Sequence, residues 1–252
     1  RWRDVVWEPV FDGTATAPFY FMRSGLIRKD LLPLYARAFV PETFVVKTVD
    51  DAVKVVVTAH REGGAWVVKK AASSNANGLA FVMEATAEGR PPSDAKPSRT
   101  PTWVLQRCIR PATVCGGYKF HLRLLVLAVG SLRLFTHANV RLIRATLPFV
   151  WGDWSNLYAH ATNRTINKSH PDYDAAKQYA SMWSLPLEPA AAMWGGMRTA
   201  VRGVFRAAGA KRRHLFLLPN CYEVFGFDFM VSDEGRVMLL EVNPDPGRGM
   251  FE

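Results

Sequence analysis

The sequence predicts an α+β fold built from two lobes. Three observations support this class: helix and strand patterns alternate before residue 87, a loop-like segment follows, and long apolar strand patterns then dominate. The segment at 87–102, AEGRPPSDAKPSRTPT, is rich in proline, serine and charge. We therefore expect an N-terminal segment at 1–40, a small central lobe at 41–100 and a C-terminal lobe at 101–252.

The first half supplies the elements of the small lobe. It begins with a short helix pattern, LIRKDLLPLYARAF, which is followed by Pro41. TFVVKT and AWVVKKAA are typical of strands, and a helix is expected between them at about 50–61. LAFVME is a further strand after a glycine-bearing turn. This order of elements predicts a small α+β lobe.

The second half opens with a strand pattern, TWVLQRCI. The segment YKFHLRLLVLAVGSLRLFTHANVRLIRAT contains two long runs rich in leucine and β-branched residues on either side of VGS, which indicates an antiparallel pair. Helical composition dominates 173–208, and a second apolar hairpin closes the chain.

Composition bounds the class of protein. With 252 residues, 49% of them hydrophobic, the chain can bury a substantial core. The net charge of +10 attracts polyanions such as nucleic acid, acidic protein tails, nucleotide phosphates or anionic lipid. Charge does not choose among these partners, and a basic surface without a specific partner is the alternative. No apolar run reaches the roughly 18 residues of a membrane span.

The cellular compartment is only weakly indicated. Cys108, Cys115 and Cys221 are too few and too scattered for a disulfide framework or a zinc motif, so a reducing compartment is expected. No signal peptide is visible, but the chain starts at Arg1 and stops just after NPDPGRGMFE. We expect a longer polypeptide around it, which leaves targeting open, including targeting to an organelle.

The closing hairpin, FGFDFMVSDEGRVMLLEVN, carries two acids among apolar residues. Strand alternation places Asp228 and Met230 on one face and four apolar residues on the other, namely Phe225, Phe227, Phe229 and Val231. In the second strand the residues expected to share a face are Val237, Leu239, Glu241 and Asn243. With a loop at 233–236, Ser232 pairs with Val237, and the same register sets Asp228 opposite Glu241.

Two opposed carboxylates suggest a metal site. Opposed Cβ atoms on an antiparallel pair lie roughly 4.5–5.5 Å apart, so Asp228 and Glu241 repel unless one is protonated or a cation lies between them. A hard divalent ion takes oxygen ligands, and the side chain of Asn243 offers a third. The alternative is a satisfied buried acid together with an unrelated surface acid.

Three further segments carry polar chemistry. In WVVKKAASSNANGLAF, a lysine at a strand end (Lys69 or Lys70) precedes small residues that let backbone N–H groups approach phosphate, although any small polar turn has this composition. Lys119, His121 and Arg123 share one strand face, and their mutual repulsion favours a bound anion over them. The alternative is a basic face exposed to solvent. The polar loop HATNRTINKSHPDY is unremarkable by itself. Together with the hairpin, these parts indicate a magnesium–nucleotide site.

These segments resemble the tubulin tyrosine ligase-like family, a branch of the ATP-grasp ligases, over about 25–246. The similarity lies in six segments that occur in the family's order: GLIRKDLL with VPETFVV, the lysine strand and glycine-bearing loop, VLQRCI, KFHLR, HATNRTINK, and FGFDFMV with LLEVNPDP. The last of these is the most specific. The resemblance implies an ATP-grasp fold with the nucleotide between two α+β lobes.

The resemblance also assigns roles by position. Magnesium ligands would be Asp228, Glu241 and Asn243. Nucleotide contacts would come from Lys69, from Ser74 and Gly78 of the loop, from the adenine hinge Gln106, Arg107, Cys108 and Ile109, and from Lys119 and His121. Arg123 would lie near the phosphates and Asn163 near the reacting groups. Arg144 is the expected acyl-phosphate arginine, with Arg141 as the other candidate because the spacing differs by one.

Three departures from the family pattern bear on activity. The loop has Asn75 and Ala76 where the family has Arg or Lys and a second Gly, and it keeps Gly78. His121 stands where the family has Asp in Lys-Phe-Asp-Leu-Arg, which removes a negative charge. The strand before Arg144 lacks the usual Gly. An active divergent ligase and a fold that has lost its reaction both remain open.

The implied function is an ATP- and Mg²⁺-dependent ligation of an amino acid to a protein carboxylate through an acyl phosphate. An acidic protein tail such as that of tubulin is the expected acceptor, in a cytoplasmic, microtubule- or cilium-associated setting. The alternative is a weakened or inactive ligase fold that serves as a binding component of a large assembly, such as one containing RNA. An ATP-grasp ligase that acts on a small-molecule acceptor is a third hypothesis.

Overall fold

The chain folds into two antiparallel sheets in a computed structural model that describes residues 1–71, 79–82, 102–114, 116–247, 249 and 251. The helices are α1 Glu8–Phe11, α2 Ser24–Ile27, α3 Leu32–Ala36, α4 Val49–Glu62, α5 Leu157–His160, α6 Arg164–Asn167, α7 Ala175–Gln178 and α8 Leu187–Gly209. The strands are β1 Thr43–Val46, β2 Trp66–Lys70, β3 Leu79–Val82, β4 Trp103–Arg107, β5 Thr113–Val114, β6 Tyr118–Val129, β7 Arg133–Thr136, β8 Arg141–Arg144, β9 Tyr179–Ser181, β10 Tyr222–Val231 and β11 Val237–Pro244.

The smaller sheet contains the strands and the helix predicted for the first half, and it also includes β4, from the segment TWVLQRCI that was expected to open the C-terminal lobe. Its four strands have the order β1-β4-β2-β3, all antiparallel, and α4 packs on it. A capping box begins α4, because Thr48 accepts from the N–H of Asp51 and the Asp51 carboxylate accepts from the N–H of Thr48. The single helix expected in LIRKDLLPLYARAF is instead two short helices, α2 and α3, with Pro33 in the first turn of α3.

The larger sheet carries the predicted acid pair on β10 and β11. Its main path is β11-β10-β6-β8-β9, and β5 and β7 also pair with β6. The antiparallel pair predicted around VGS is confirmed as β6 and β7, and β8 is an additional strand. The region 173–208 is not helical throughout, since β9 lies between α7 and α8 and pairs with β8 as the edge of the sheet.

The hairpin of β10 and β11 has a β-bulge at the predicted acid pair. Asp228 lies directly opposite Glu241, as predicted. However, Val231 pairs with Val237, so the predicted partnership of Ser232 with Val237 is wrong. The register shifts between Asp228 and Phe229 because Leu240 is an extra residue in β11.

The bulge also changes which side chains share a face of β11. Leu239 and Val242 are buried in the core at 0% and 3% exposure, whereas Glu241 and Asn243 are half-buried on the other face. The predicted common face of Val237, Leu239, Glu241 and Asn243 is therefore wrong, since one extra residue inverts the alternation beyond it. On β10 the predicted faces are confirmed, with the aromatic residues in the core and Asp228 on the opposite side.

Helix α8 covers the apolar face of the larger sheet. Its buried residues, among them Met197, Val204 and Phe205, join one core cluster with Phe225 and Phe227. The Phe205 ring lies 5.7 Å from that of Phe225 and 5.9 Å from that of Phe227. The opposite face of the sheet is thus left to the polar side chains. Within the described ranges, no helix is both long enough and apolar enough to cross a membrane.

Candidate functional site

A cavity between the two sheets collects most of the residues that the sequence singled out. Side chains from the small sheet, from β6 and from β10 and β11 line it together. The predicted site residues among its walls are Lys69, Gln106, Arg107, Cys108, Ile109, Lys119, His121, Asn163, Asp228 and Glu241. Two of the predicted residues, Ser74 and Gly78, lie outside the described residues, as do Asn75 and Ala76.

The acid pair lines the cavity. The amide nitrogen of Asn243 donates to Oδ2 of Asp228 at 3.0 Å and to Oε1 of Glu241 at 3.3 Å, so it bridges the two carboxylates. Arg123 donates to both oxygens of Asp228, and Nζ of Lys29 lies 3.3 Å from Oε2 of Glu241. The bulge at Leu240 is what turns Glu241 toward this cluster while Leu239 stays in the core.

Charged residues form a row across four strands of the larger sheet. Glu241 pairs with Asp228, Asp228 with Arg123, and Arg123 with Arg141. Arg141 therefore shares the face of Arg123, and its buried Nε has no hydrogen-bond partner among the described residues. Arg144 pairs with Phe120, stacks on the ring of Tyr118 at 4.2 Å and borders a separate small cleft.

Strand parity bears on the choice between Arg141 and Arg144. Residues three apart in a strand project to opposite faces, so only one of these two arginines can share the face of Arg123. The structure gives that position to Arg141. Arg141, rather than Arg144, therefore lies beside Arg123 on the face of the acid pair.

The small sheet contributes a lysine held by a hydrogen-bond chain. Nζ of Lys69 donates to Oε1 of Gln106 at 2.6 Å, and the amide of Gln106 donates to Oγ1 of Thr43 at 2.9 Å. Burial lowers the pKa of Lys69, and the nearby Glu241 opposes that shift. At the predicted hinge, the N–H groups of Arg107 and Cys108 donate to Glu42 and Ala65, which fixes this backbone against the cavity.

The basic strand places Lys119 and His121 under the cavity. Burial lowers the pKa of Lys119 to about 8. Burial, followed by the charge of Arg123, lowers the pKa of His121 to about 3, so its imidazole is neutral at ordinary pH. Nδ1 of His121 lies 2.6 Å from Oγ1 of Thr162, and its Nε2 lies 3.9 Å from Oδ1 of Asp228.

An aromatic wall, to which the sequence analysis gave no role, lines the same cavity as the acids. Phe149, Trp151, Trp154 and His160 line the cavity together, with Trp151 and Trp154 centroids 4.9 Å apart. Nζ of Lys119 lies 5.7 Å from the Phe149 ring, within cation–π range. Asn163, the residue before α6, also lines the cavity. The two tryptophans in VWGDW were a signal in the sequence, but nothing local tied them to the acids.

Lys29 is a further site residue to which the sequence analysis gave no role. It precedes α3 in the N-terminal segment, yet it lines the cavity and pairs with Glu241. Its side chain is 16% exposed. No short-range pattern marks it, because its partner lies near the other end of the chain.

Comparison with known proteins gives this arrangement a family. A sequence model of the tubulin-tyrosine ligase family matches residues 26–248. The chain belongs to the tubulin-tyrosine ligase family. Among family members, a probable tubulin–tyrosine ligase of Schizosaccharomyces pombe is 29% identical over 152 residues, which covers 59% of this chain and 37% of that protein. The probable tubulin polyglutamylase TTLL2 of Homo sapiens is 27% identical over 230 residues, covering 82% of this chain and 36% of that protein.

The fold is that of the ATP-grasp enzymes. The crystal structure of the C-terminal domain of K. lactis Pby1, described as an ATP-grasp enzyme interacting with the mRNA decapping enzyme Dcp2, matches with a TM-score of 0.70 at 19% identity. The match covers 98% of this chain and 73% of that domain chain. The predicted family and fold are thus confirmed. This family member aligns with only a little over a third of the two curated relatives described above.

Proposed function

We propose that this chain is an ATP-dependent ligase that joins the amine of an amino acid to a carboxylate of a protein acceptor. The observation that carries the proposal is the acid pair Asp228 and Glu241, set opposite each other at a cavity that also receives Lys69 and Lys119. Opposed acids beside two lysines suit a magnesium–nucleotide complex, in which the acids meet the cation and the lysines meet phosphate.

The residues present fit magnesium. Asp228 Oδ2 already accepts from Arg123 and Asn243, but Oδ1 accepts only from Arg123 among the hydrogen bonds of the described residues. A carboxylate offers about four lone-pair sites, so Asp228 and both oxygens of Glu241 keep acceptor capacity toward a cation. We propose Asp228, Glu241 and Asn243 as its holders; the Asn243 amide, whose nitrogen donates to both acids, would have to turn to present its oxygen. When bound, Mg²⁺ would neutralise the negative charge that develops on the phosphates.

The proposed reaction has two steps. An oxygen of the acceptor carboxylate bonds to the γ-phosphorus of ATP as the bond to the bridging oxygen breaks, which releases ADP and leaves an acyl phosphate. The amine then attacks the acyl carbon and loses a proton, phosphate leaves, and an amide remains. Lys69 and Lys119 would hold the phosphates, and Arg123 and Arg141 would offset the negative charge of the acyl phosphate.

The neutral state of His121 fits this assignment. A protonated imidazole 3.9 Å from Oδ1 of Asp228 would compete with a cation for that oxygen. Burial keeps the pKa of His121 near 3, so the imidazole stays neutral and can act as a single hydrogen-bond donor or acceptor toward a ligand. The change from the family's Asp to His121 therefore removes a charge without placing a competing cation in the cavity.

An acidic protein tail is the acceptor class that we propose, with the tubulin tail as the first to test. The relatives carry names of tubulin ligases, and the net charge of +10 would draw an acidic tail. The amino acid is tested rather than assumed. The protein is incubated with ATP, Mg²⁺, tubulin and Tyr, Glu or Gly in separate reactions, and the tubulin is analysed by mass spectrometry.

Two neutral substitutions and a matched control sharpen that assay. We expect a mass increment with one amino acid, its loss in Asp228→Asn and Glu241→Gln, and its retention in Glu234→Gln, which changes an exposed acid in the turn of the same hairpin. No increment with any of the three amino acids would refute the tubulin assignment. An increment that survives both site substitutions would refute the metal role of the acid pair.

A second candidate is a ligase fold that acts as a binding component of an assembly. It is favoured by the ion pairs and hydrogen bonds that Arg123, Lys29 and Asn243 make to the two acids, since a metal ion would have to compete with them. The resemblance to Pby1, which is described as interacting with a decapping enzyme, points the same way. Isothermal titration calorimetry with Mg²⁺–ATP separates the candidates, since heat that is lost in Asp228→Asn supports the ligase and no heat supports the binding component.

A further inference from the structure

A basic segment lies on the far side of the larger sheet from the cavity. Residues 189–222 contain no acidic residue, yet they carry six lysines and arginines in the stretch from α8 into the following turn. These are Arg198, Arg202, Arg206, Lys211, Arg212 and Arg213, here called the basic stripe, and all six are exposed.

The three arginines of α8 form one row along the helix. They are spaced at i, i+4 and i+8, which places them on neighbouring turns of one face, roughly 6 Å apart along the axis. No ion pair joins any member of the basic stripe to a carboxylate of the described residues. Like charges at this spacing repel and destabilise a helix, so a bound anion would relieve the repulsion.

Aromatic rings accompany the basic stripe at both ends. The Arg198 guanidinium lies 5.8 Å from the Trp194 ring, and the Trp183 ring is 6.0 Å from that of Trp194. Trp183 is 42% exposed, yet its indole N–H donates to the carbonyl of Ala138 at 2.8 Å, so the ring is held in place while one part faces water. At the other end the Arg212 guanidinium lies 5.2 Å from the Phe216 ring.

The position of the basic stripe separates it from the proposed ligase site. The buried side of α8 packs on the aromatic face of β10, whereas Asp228 and Met230 project from the opposite face into the cavity. A ligand on the basic stripe therefore does not occupy the cavity, so binding at either site can be lost without loss at the other.

We propose that the basic stripe binds single-stranded RNA. Five of its six members are arginines, whose planar guanidinium groups match phosphate oxygens in a bidentate way and also stack on bases. An exposed, fixed indole beside the row offers a base a stacking surface, as occurs in sequence-tolerant single-strand binding. An acidic polypeptide would satisfy the charges but has no aromatic base to stack on the exposed part of the Trp183 ring, which favours RNA over a protein tail.

Fluorescence anisotropy with a fluorescein-labelled 20-nucleotide RNA of mixed, unpaired sequence tests the proposal over a series of salt concentrations. For single strands, each phosphate contact contributes about −0.7 to the slope of log K against log salt concentration. Neutralising the row in Arg198→Gln/Arg202→Gln/Arg206→Gln should therefore reduce that slope by about 2. The matched control, Lys47→Gln/Lys54→Gln/Arg61→Gln, removes the same charge from exposed positions on the small lobe and should leave the slope nearly unchanged.

Two further measurements separate RNA from other polyanions. Trp183→Ala should weaken RNA binding roughly fivefold or more, and Trp183→Phe should retain most of it, because base stacking needs the ring. Equal losses in the row and control variants, or no effect of Trp183→Ala, would overturn the proposal. Displacement of RNA by polyglutamate at equal charge concentration would overturn it in favour of an acidic polypeptide. None of these outcomes depends on ATP or Mg²⁺, so they do not decide the ligase proposal.

Discussion

Arg123 and Asp228 lie opposite each other on β6 and β10, and the guanidinium donates to both carboxylate oxygens at 2.6 and 2.5 Å. Their side chains are only 16% and 6% exposed. A bidentate pair removed from water fixes both side chains, so the residue proposed as a magnesium ligand is positioned before any ligand arrives. The same pair, although it belongs to the site, also contributes to the stability of the fold.

Neutralising one partner of this pair should lower the free energy of unfolding. In Arg123→Gln the Asp228 carboxylate stays buried without its cation, and we expect the free energy of unfolding to fall by about 3 kcal/mol. Urea denaturation measures the change. Arg133→Gln, at an exposed position on β7, is the control and should change stability by less than about 0.5 kcal/mol. If Arg123→Gln behaves like the control, the pair does not hold Asp228 in place.

Lys119 should make phosphate affinity depend on pH. Because burial lowers its pKa to about 8, the ammonium loses its charge as the pH rises from 7 to 9. If Lys119 holds a nucleotide phosphate, the affinity for Mg²⁺–ATP should fall by up to about tenfold over that range. Lys119→Arg should flatten the dependence, since arginine stays charged. Lys54→Arg, on exposed α4, should keep it, and an equal slope in both variants would remove Lys119 from the site.

The sequence was sufficient for the acid pair but not for the geometry around it. Alternation along β10 predicted Asp228 on the polar face, and the pairing of Asp228 with Glu241 is confirmed. That pairing was derived from a partnership of Ser232 with Val237 that does not exist. The bulge at Leu240 compensates for the error. A single extra residue has no compositional signal, so neither the bulge nor the inward turn of Leu239 could be predicted.

Other parts of the site depend on tertiary packing. The face of Arg141 could have been predicted, because residues 141 and 144 differ in strand parity. Lys29 could not, since only the folding of the N-terminal segment against β11 brings it to Glu241. The aromatic wall of Phe149, Trp151 and Trp154 likewise becomes part of the cavity only through the path of the loop after β8.

Glu223 should make stability decrease as the pH rises through the weakly acidic range. Its side chain is buried beside Arg23 and accepts from the N–H of Tyr20, and burial raises its pKa from 4.5 to about 7. Between those values the folded chain binds more protons than the unfolded chain, so the free energy of unfolding falls with rising pH. The contribution is at most about 3 kcal/mol and is complete below pH 4.5.

Comparison with Glu223→Gln isolates this contribution. The amide keeps an acceptor for Tyr20 but does not titrate, so the difference in unfolding free energy between the two proteins should change between pH 4.5 and 7, in favour of the wild type at the lower pH. Urea denaturation at several pH values gives that difference. Glu234→Gln, an exposed acid, is the control. A difference independent of pH would show that Glu223 titrates normally.

Two glycines of α8 should respond in opposite ways to the same substitution. A Cβ at Gly203 would lie 2.4 Å from the Phe39 ring, whereas a Cβ at Gly195 meets nothing within 4 Å. Both are helical, so each alanine gains about 1 kcal/mol of helix propensity. We expect Gly195→Ala to stabilise the protein by about that amount, and Gly203→Ala to destabilise it by about 1–3 kcal/mol because Phe39 must move. Denaturant unfolding measures both, and a stabilising Gly203→Ala would show that α8 does not pack this closely on the segment after α3.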